Sequence, residues 1–175
     1  MGKSGVYQIF FVSLQREMIF VMNTFLGNIE VKFDEKGRIF IPSGYRKILA
    51  EMESKHIIMR RDTDNECLIF YPEPTWNAKV EALRDALDEW NPEDQLLLMQ
   101  FMAEAEMLDM DGQGRVLISK KTLPVEDKTY VFVGMLDRFA LWSPKTFSEK
   151  KLEPVELAKK LREKMKKFGS RGVEG

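Results

Sequence analysis

Two short segments of this 175-residue chain carry the same charged pattern. Residues 33–42 read F-D-E-K-G-R-I-F-I-P and residues 110–119 read M-D-G-Q-G-R-V-L-I-S. They align as apolar-D-x-x-G-R-β-x-I at an offset of 77 (111 − 34 and 115 − 38). In each copy the carboxylate, Asp34 or Asp111, can accept bonds from backbone amides two residues on. The glycine, Gly37 or Gly114, can take the left-handed conformation that a tight turn needs. These four residues shape the loops. An arginine follows at the base of the next strand, Arg38 in the first copy and Arg115 in the second, with Lys36 and Gln113 beside them in the loops. A guanidinium fork in that place can chelate phosphate oxygens or guanine O6 and N7. It can also pair with its own loop aspartate and brace the turn.

Other chemistries lack their residues. Cys67 is the sole cysteine and His56 the sole histidine, which excludes a disulfide framework and a Cys-rich zinc site. Nucleophilic triads or dyads would all have to use His56, and no G-x-S-x-G context supports one. Gly112-x-Gly114 is no nucleotide fingerprint, since the full G-x-G-x-x-G run and its helix are absent. The sequence therefore predicts no catalytic residue, no cofactor and no metal. His56 reads as a satisfied or solvent-facing side chain at a strand start, and Cys67 as a small apolar strand residue.

Charge narrows the partner. With 27 Lys+Arg against 28 Asp+Glu, the net charge is −1, which excludes a surface that is basic throughout. The acid is concentrated in residues 77–106, with eight acidic against two basic residues, away from both loops. Residues 151–175 have the opposite bias, eight basic against four acidic. What remains is a small, localised basic face.

The elements around the loops also repeat. Ile29, Val31 and Phe33 alternate with Glu30 and Lys32, the period of a half-buried strand, and Arg38–Ile41 starts a partner strand, predicting a hairpin. On the second strand Arg38 and Phe40 share one face and Ile39 and Ile41 the other, so burying the isoleucines exposes the arginine. Pro42 ends this strand, and Ser43 is the expected cap of a short helix through Tyr45–Leu49. Strands are expected around 56–60 and 67–71. The second copy predicts strands near 107–111, 115–119, 129–133 and 139–143, with its short helix reduced to Lys120–Leu123 and closed by Pro124. A D-x-x-G-R run is expected by chance roughly once in 4,000 positions, so two copies with matching flanks indicate a duplicated unit.

Between the copies, Trp76, Val80, Leu83, Leu87 and Trp90 recur as one helix face. Pro92 starts a further helix, whose apolar run Leu96–Met102 is expected to be well buried. Leu157, Leu161, Met165 and Phe168 form a stripe on a C-terminal helix rich in lysine. Such stripes read as packing surfaces against the β core or a neighbouring subunit; a basic amphipathic helix could also touch a membrane or nucleic acid. The apolar pieces before Met22 are interrupted by Gln15-Arg16-Glu17 and are too short to span a bilayer, which needs about 20 apolar residues. A signal peptide competes, but no small-residue cleavage site follows. The reading preferred here is an upstream extension over residues 1–21, disordered or non-native, preceding a cytoplasmic protein.

A strand, D-x-x-G-R-[IV]-x-I-P, a short helix and two further strands resemble the swapped-hairpin unit of the AbrB (SpoVT-AbrB) DNA-binding superfamily. Two such units with a helical spacer and a C-terminal helix resemble the MraZ family. The similarity runs from about Phe25 to Phe168 and includes Gly27, Asp64-Asn65-Glu66-Cys67-Leu68 before Tyr71-Pro72, and Val133-Gly134-Met135-Leu136-Asp137-Arg138-Phe139 before Trp142. Ser119 stands where the first copy has its proline, and the Lys120–Lys128 segment is shorter than the family's usual helix.

The resemblance implies an α+β fold in which two tandem units form a pseudo-dimeric barrel. Unit 1 is expected over 22–76, the spacer over 77–106, unit 2 over 107–150 and the C-terminal helix and tail over 151–175. It implies a sequence-specific repressor of its own division and cell-wall operon, nucleoid-associated, binding promoter repeats in double-stranded DNA as a ring-like homo-oligomer, with no membrane partner. Its DNA contacts would be Lys36, Arg38, Gln113 and Arg115. The alternative is an assembly or protein-interaction module that keeps this fold without binding DNA.

Overall fold

The structure, a computed structural model, describes residues 24–62, 64–119, 122 and 129–171. The extension expected over residues 1–21 and, apart from Thr122, the helix expected at Lys120–Leu123 lie outside these residues. The first repeat supplies strands β1 (Asn28–Lys32), β2 (Arg38–Phe40), β3 (Ile57–Asp62) and β4 (Cys67–Pro72). The second supplies β5 (Ala105–Leu108), β6 (Arg115–Leu117), β7 (Thr129–Gly134) and β8 (Phe139–Trp142).

The strands of the two repeats interleave. Six form an antiparallel sheet in the order β1-β7-β8-β4-β3-β5, while β2 and β6 pair as a separate ribbon. Exchanging the two repeats leaves this order unchanged: β1 pairs with β7, β5 with β3, and β4 meets β8 at the centre. The expected local hairpin is therefore corrected. Its turn forms, with the Gly37 amide donating to the Asp34 carbonyl at 3.0 Å, but only the single bridge Phe33–Ile39 joins the flanking strands. β1 leaves to place Ile29 opposite Phe132 and Val31 opposite Tyr130, and β2 leaves to place Ile39 opposite Val116. Alternation fixes which face of a strand is buried, and both partnerships satisfy it equally.

The ribbon lies over one face of the sheet. Ile39, Ile41, Val116 and Ile118 beneath it join Phe25, Tyr45, Phe70, Phe132 and Phe139 in one buried cluster. Phe70 and Phe139, paired across the central seam, stack at 5.3 Å. The barrel expected for tandem units thus takes the form of a six-stranded sheet crossed by a two-stranded ribbon. The α+β class holds.

Helix α1 (Ser43–Glu51) buries Tyr45 and Leu49, one turn apart, in the same core. Ser43 is not its cap. Pro42 is the cap residue, extended at φ −53° and ψ 142°, and its carbonyl accepts the Arg46 amide at 2.9 Å. The Tyr45 hydroxyl donates to the Leu26 carbonyl at 3.1 Å, tying α1 to the segment before β1.

The spacer forms α2 (Glu73–Ala86) and α3 (Pro92–Ala103). The stripe from Trp76 stops early, because Leu87 is extended and Asn91 caps α3 by accepting the Glu93 amide at 2.9 Å. Trp90 falls in the intervening turn and is 85% exposed. Trp76 stacks on Phe101 at 5.5 Å and joins Ile58 and Tyr71 on the other face of the sheet. The expected burial of Leu96–Met102 is also corrected. Leu98 and Phe101 are half-buried, whereas Leu96, Leu97, Met99 and Met102 are exposed. One layer of sheet can cover only one face of a helix, and α3 is apolar on the other as well.

Residues up to Pro144 form one compact unit and Lys145 onward a second. The second contains α4 (Pro144–Lys150) and α5 (Pro154–Arg171), and Leu157, Leu161 and Met165 stand exposed along α5. No described helix is long and apolar enough to cross a membrane.

Gly134 marks the tightest backbone approach. Its amide donates to the Gly27 carbonyl at 2.8 Å, and a Cβ there would lie 2.4 Å from backbone atoms of Phe25 and Leu26. Gly134→Ala must push the segment before β1 away from β7, at a cost of about 1–3 kcal/mol. A thermal melt should register that loss, while Gly112→Ala, with nothing within 4 Å of the added carbon, should melt like the parent.

Candidate nucleic-acid interface

The two D-x-x-G-R loops are built the same way. Asp34 Oδ1 accepts the backbone amides of Lys36 and Arg38, both at 2.9 Å, and Oδ2 accepts Nε of Arg38 at 2.7 Å. Asp111 Oδ1 accepts the amides of Gln113 and Arg115, both at 2.9 Å, and Oδ2 accepts Nε of Arg115 at 2.8 Å. The glycines are left-handed, Gly37 at φ +79° and Gly114 at φ +84°. These bonds act on the carboxylates. The Arg38 amide, more than any other group, lowers the Asp34 carboxyl below its ordinary range, and the Arg115 side chain chiefly lowers Asp111, to about 2. Both loops therefore keep fixed anions behind their arginines at neutral pH.

The ribbon then sets the arginines against each other. Arg38 faces Leu117, Ile39 faces Val116 and Phe40 faces Arg115. Ile39 and Val116 are counterparts at the repeat offset, so the pseudo-twofold axis passes between them. Residues directly opposite in an antiparallel pair share a face. With Ile39 and Val116 fully buried, Arg38, Phe40, Arg115 and Leu117 all lie on the outer face. The arginines occupy one diagonal and the exposed Phe40 and Leu117 the other. Two strand steps separate the arginine backbones, about 7 Å along the strand. The loops lock the ends: Ile41 donates to the Gly114 carbonyl at 3.0 Å and Ile118 to the Gly37 carbonyl at 3.1 Å.

The two arginines are not equivalent in detail. Arg115 gives a second bond, from Nη2 to Asp111 at 2.7 Å, while its Nη1 lies 3.9 Å from Asp34 across the ribbon. Its cationic carbon stands 5.7 Å from the Phe40 ring centre. Arg38 uses Nε alone, and among the described residues its two terminal nitrogens have no hydrogen-bond partner. Its side chain is 30% exposed against 17% for Arg115. Each arginine therefore braces its own turn while still facing outward. Lys36 and Gln113 are exposed at the loop tips.

One neighbour was not legible locally. Arg46 of α1, from the first repeat, packs on the second repeat's loop, where a Cβ on Gly114 would fall 2.6 Å from its Cδ. A third guanidinium stem thus borders the site. Only the interleaved pairing carries α1 over that loop, and local periodicity does not reveal such a pairing. His56 lies elsewhere, its Nδ1 2.7 Å from Asp109 Oδ1 just before β3, and Cys67 is buried as the first residue of β4. Among the described residues no cluster of potential ligands could hold a metal ion.

The duplicated architecture also appears in the comparison with known families. The family model described as MraZ protein matches residues 24–98 and again residues 101–167. The chain belongs to the MraZ family. A protein named Transcriptional regulator MraZ from Bacteroides fragilis is 38% identical over 147 residues, covering 83% of this chain and 93% of its own. Another of that name from Phocaeicola vulgatus is 37% identical over 143 residues, covering 81% and 93%. A third, from Nitrosospira multiformis, is 33% identical over 120 residues, covering 67% and 80%. The MraZ model breaks between its two matches within the spacer, so each match spans one set of four strands.

Proposed function

We propose that this MraZ-family chain is a sequence-specific DNA-binding transcriptional regulator that represses its own division and cell-wall operon. The observation that carries the reading is the arginine diagonal on the outer face of the β2–β6 ribbon. A major groove about 12 Å wide admits a two-stranded ribbon, and an arginine fork can bind guanine O6 and N7 or a phosphate. Arg38 and Arg115 make those contacts, while Lys36 and Gln113 reach the flanking backbone from the loop tips. Asp34, Gly37, Asp111 and Gly114 hold the geometry. Because strands cross between repeats, residues 22–76 and 107–150 act as one pseudo-dimeric binding head, with residues 77–106 as its spacer and 151–175 as a separate helical tail. The protein works in the cytoplasm, at the nucleoid.

A single head offers few cations, and each arginine already faces a carboxylate. Affinity therefore comes from several heads on successive promoter repeats, joined in a ring-like homo-oligomer that raises their effective concentration. Fluorescence anisotropy of the full chain on DNA from upstream of its own operon tests this. Binding should favour that DNA over a shuffled duplex and weaken linearly on a log–log plot against salt, as counterions are released. No preference at any salt would favour the assembly module that does not bind DNA.

A further inference from the structure

We infer that the basic amphipathic helix α5 of one copy docks on the exposed acidic and apolar face of α3 in a second copy, forming the head-to-tail contact of the assembly. The inference rests on the homo-oligomer proposed above and names the surfaces that would build it.

Among the described residues, two helices each carry an exposed apolar face. On α3, Leu96, Leu97 and Met99 are exposed by 51%, 53% and 56%, although a helix apolar on all sides belongs in an interior. On α5, Leu157, Leu161 and Met165 follow one another at four-residue steps and are exposed by 45%, 56% and 69%. The borders of these faces carry opposite charge. Glu93 precedes Leu96 and Leu97 by three and four residues, so it stands beside them on α3, and Glu89 lies in the turn just before. Neither glutamate has an ion-pair partner among the described residues. On α5, Lys160 and Lys164 stand three residues after Leu157 and Leu161 and flank that stripe, and Lys160 also pairs with Glu156 at 2.9 Å within the helix.

The charges choose between occupants. Two α5 helices packed together would bring two basic segments into contact, and two α3 helices would bring two acidic ones. Only the α3–α5 pairing covers both apolar stripes and places opposite charges along both edges. A nucleic acid could neutralise the lysines, but it would leave both stripes exposed. Because the two faces differ, the contact can repeat head to tail from copy to copy, and it forms a ring where the rotation closes.

Charge reversal tests the contact without touching a buried residue. The full chain is measured by light scattering and native mass spectrometry as the parent, as Lys160→Glu with Lys164→Glu, and as Glu89→Lys with Glu93→Lys. The parent should be oligomeric, and each variant alone should need a concentration about tenfold higher, or more, to assemble, the size expected when two pairs become repulsive. An equal mixture of the two variants should recover larger species that contain both. A parent that is monomeric would overturn the assembly reading and this contact with it. Variants that assemble like the parent, or a mixture that fails to recover, would overturn the contact alone. An unchanged mass with weaker DNA binding in the lysine variant would assign α5 to nucleic acid instead.

Discussion

Replacing Arg38 and Arg115 together by alanine should lower affinity for the operon's own upstream DNA by about two to four orders of magnitude. A well-placed bidentate contact is worth about 1–3 kcal/mol, and each 1.4 kcal/mol is tenfold. The fold should survive, because Asp34 and Asp111 still accept two backbone amides each at 2.9 Å and so keep their turns. Of the single changes, Arg38→Ala should cost more. Arg115 is held by two bonds to Asp111 and stands near Asp34, whereas Arg38 gives up only Nε. Arg38→Lys separates the two modes of contact. It retains a charge for phosphate but loses the planar fork, so preference for the promoter over a shuffled duplex should fall further than overall affinity. Competition titrations at fixed salt measure both quantities.

Ile39→Ala should produce the largest loss of stability among changes near the interface, about 2–5 kcal/mol. Ile39 is fully buried on the pseudo-twofold axis opposite Val116, and its side chain roots the ribbon in the aromatic cluster. Against a typical domain stability of about 5–15 kcal/mol, that loss should shift a urea midpoint substantially. Ile39→Val should cost less, about 0.5–1.5 kcal/mol. Leu117→Ala is the contrast. It lies on the same ribbon, but the residue is 58% exposed, so stability should change by no more than about 0.5 kcal/mol. Buried and exposed positions alternate within three residues, and this alternation keeps the outer face available.

The loops were the most legible part of the sequence, because their signals are local. Asp34 and Asp111 accept amides two residues on, Gly37 and Gly114 are left-handed, and the arginines stand at the strand bases. The facing of Arg38 and Phe40 away from Ile39 and Ile41 followed from period-two alternation alone. What sequence could not specify was the partner of each strand. Phe33 and Ile39 bridge as a hairpin would begin, yet β1 and β2 each pair with the other repeat. That exchange in turn places Arg46 against Gly114.

The misread elements each have a physical cause. Trp90 fits the helical spacing from Trp76, but the extended backbone at Leu87 ends the helix before it and Asn91 caps a new one after it. Leu96–Met102 is as apolar as a buried helix, but the sheet covers only the face that carries Leu98 and Phe101. Ser43 has the chemistry of a cap, but Pro42 already occupies the extended position before the first turn. For Trp90 and Ser43 the neighbouring residue decided the outcome, and for α3 the sheet that covers only one of its faces did.

The most direct test of the central claim is the salt dependence of binding to the native upstream DNA, measured for the parent and for Arg38→Ala with Arg115→Ala. The parent should prefer that DNA to a shuffled duplex, and its affinity should fall steeply as salt rises. The double variant should lose most of that preference and show a shallower slope, by about one for each phosphate contact removed per head. A double variant that keeps the parent's affinity, preference and slope would contradict the assignment of the ribbon arginines as the DNA-reading surface.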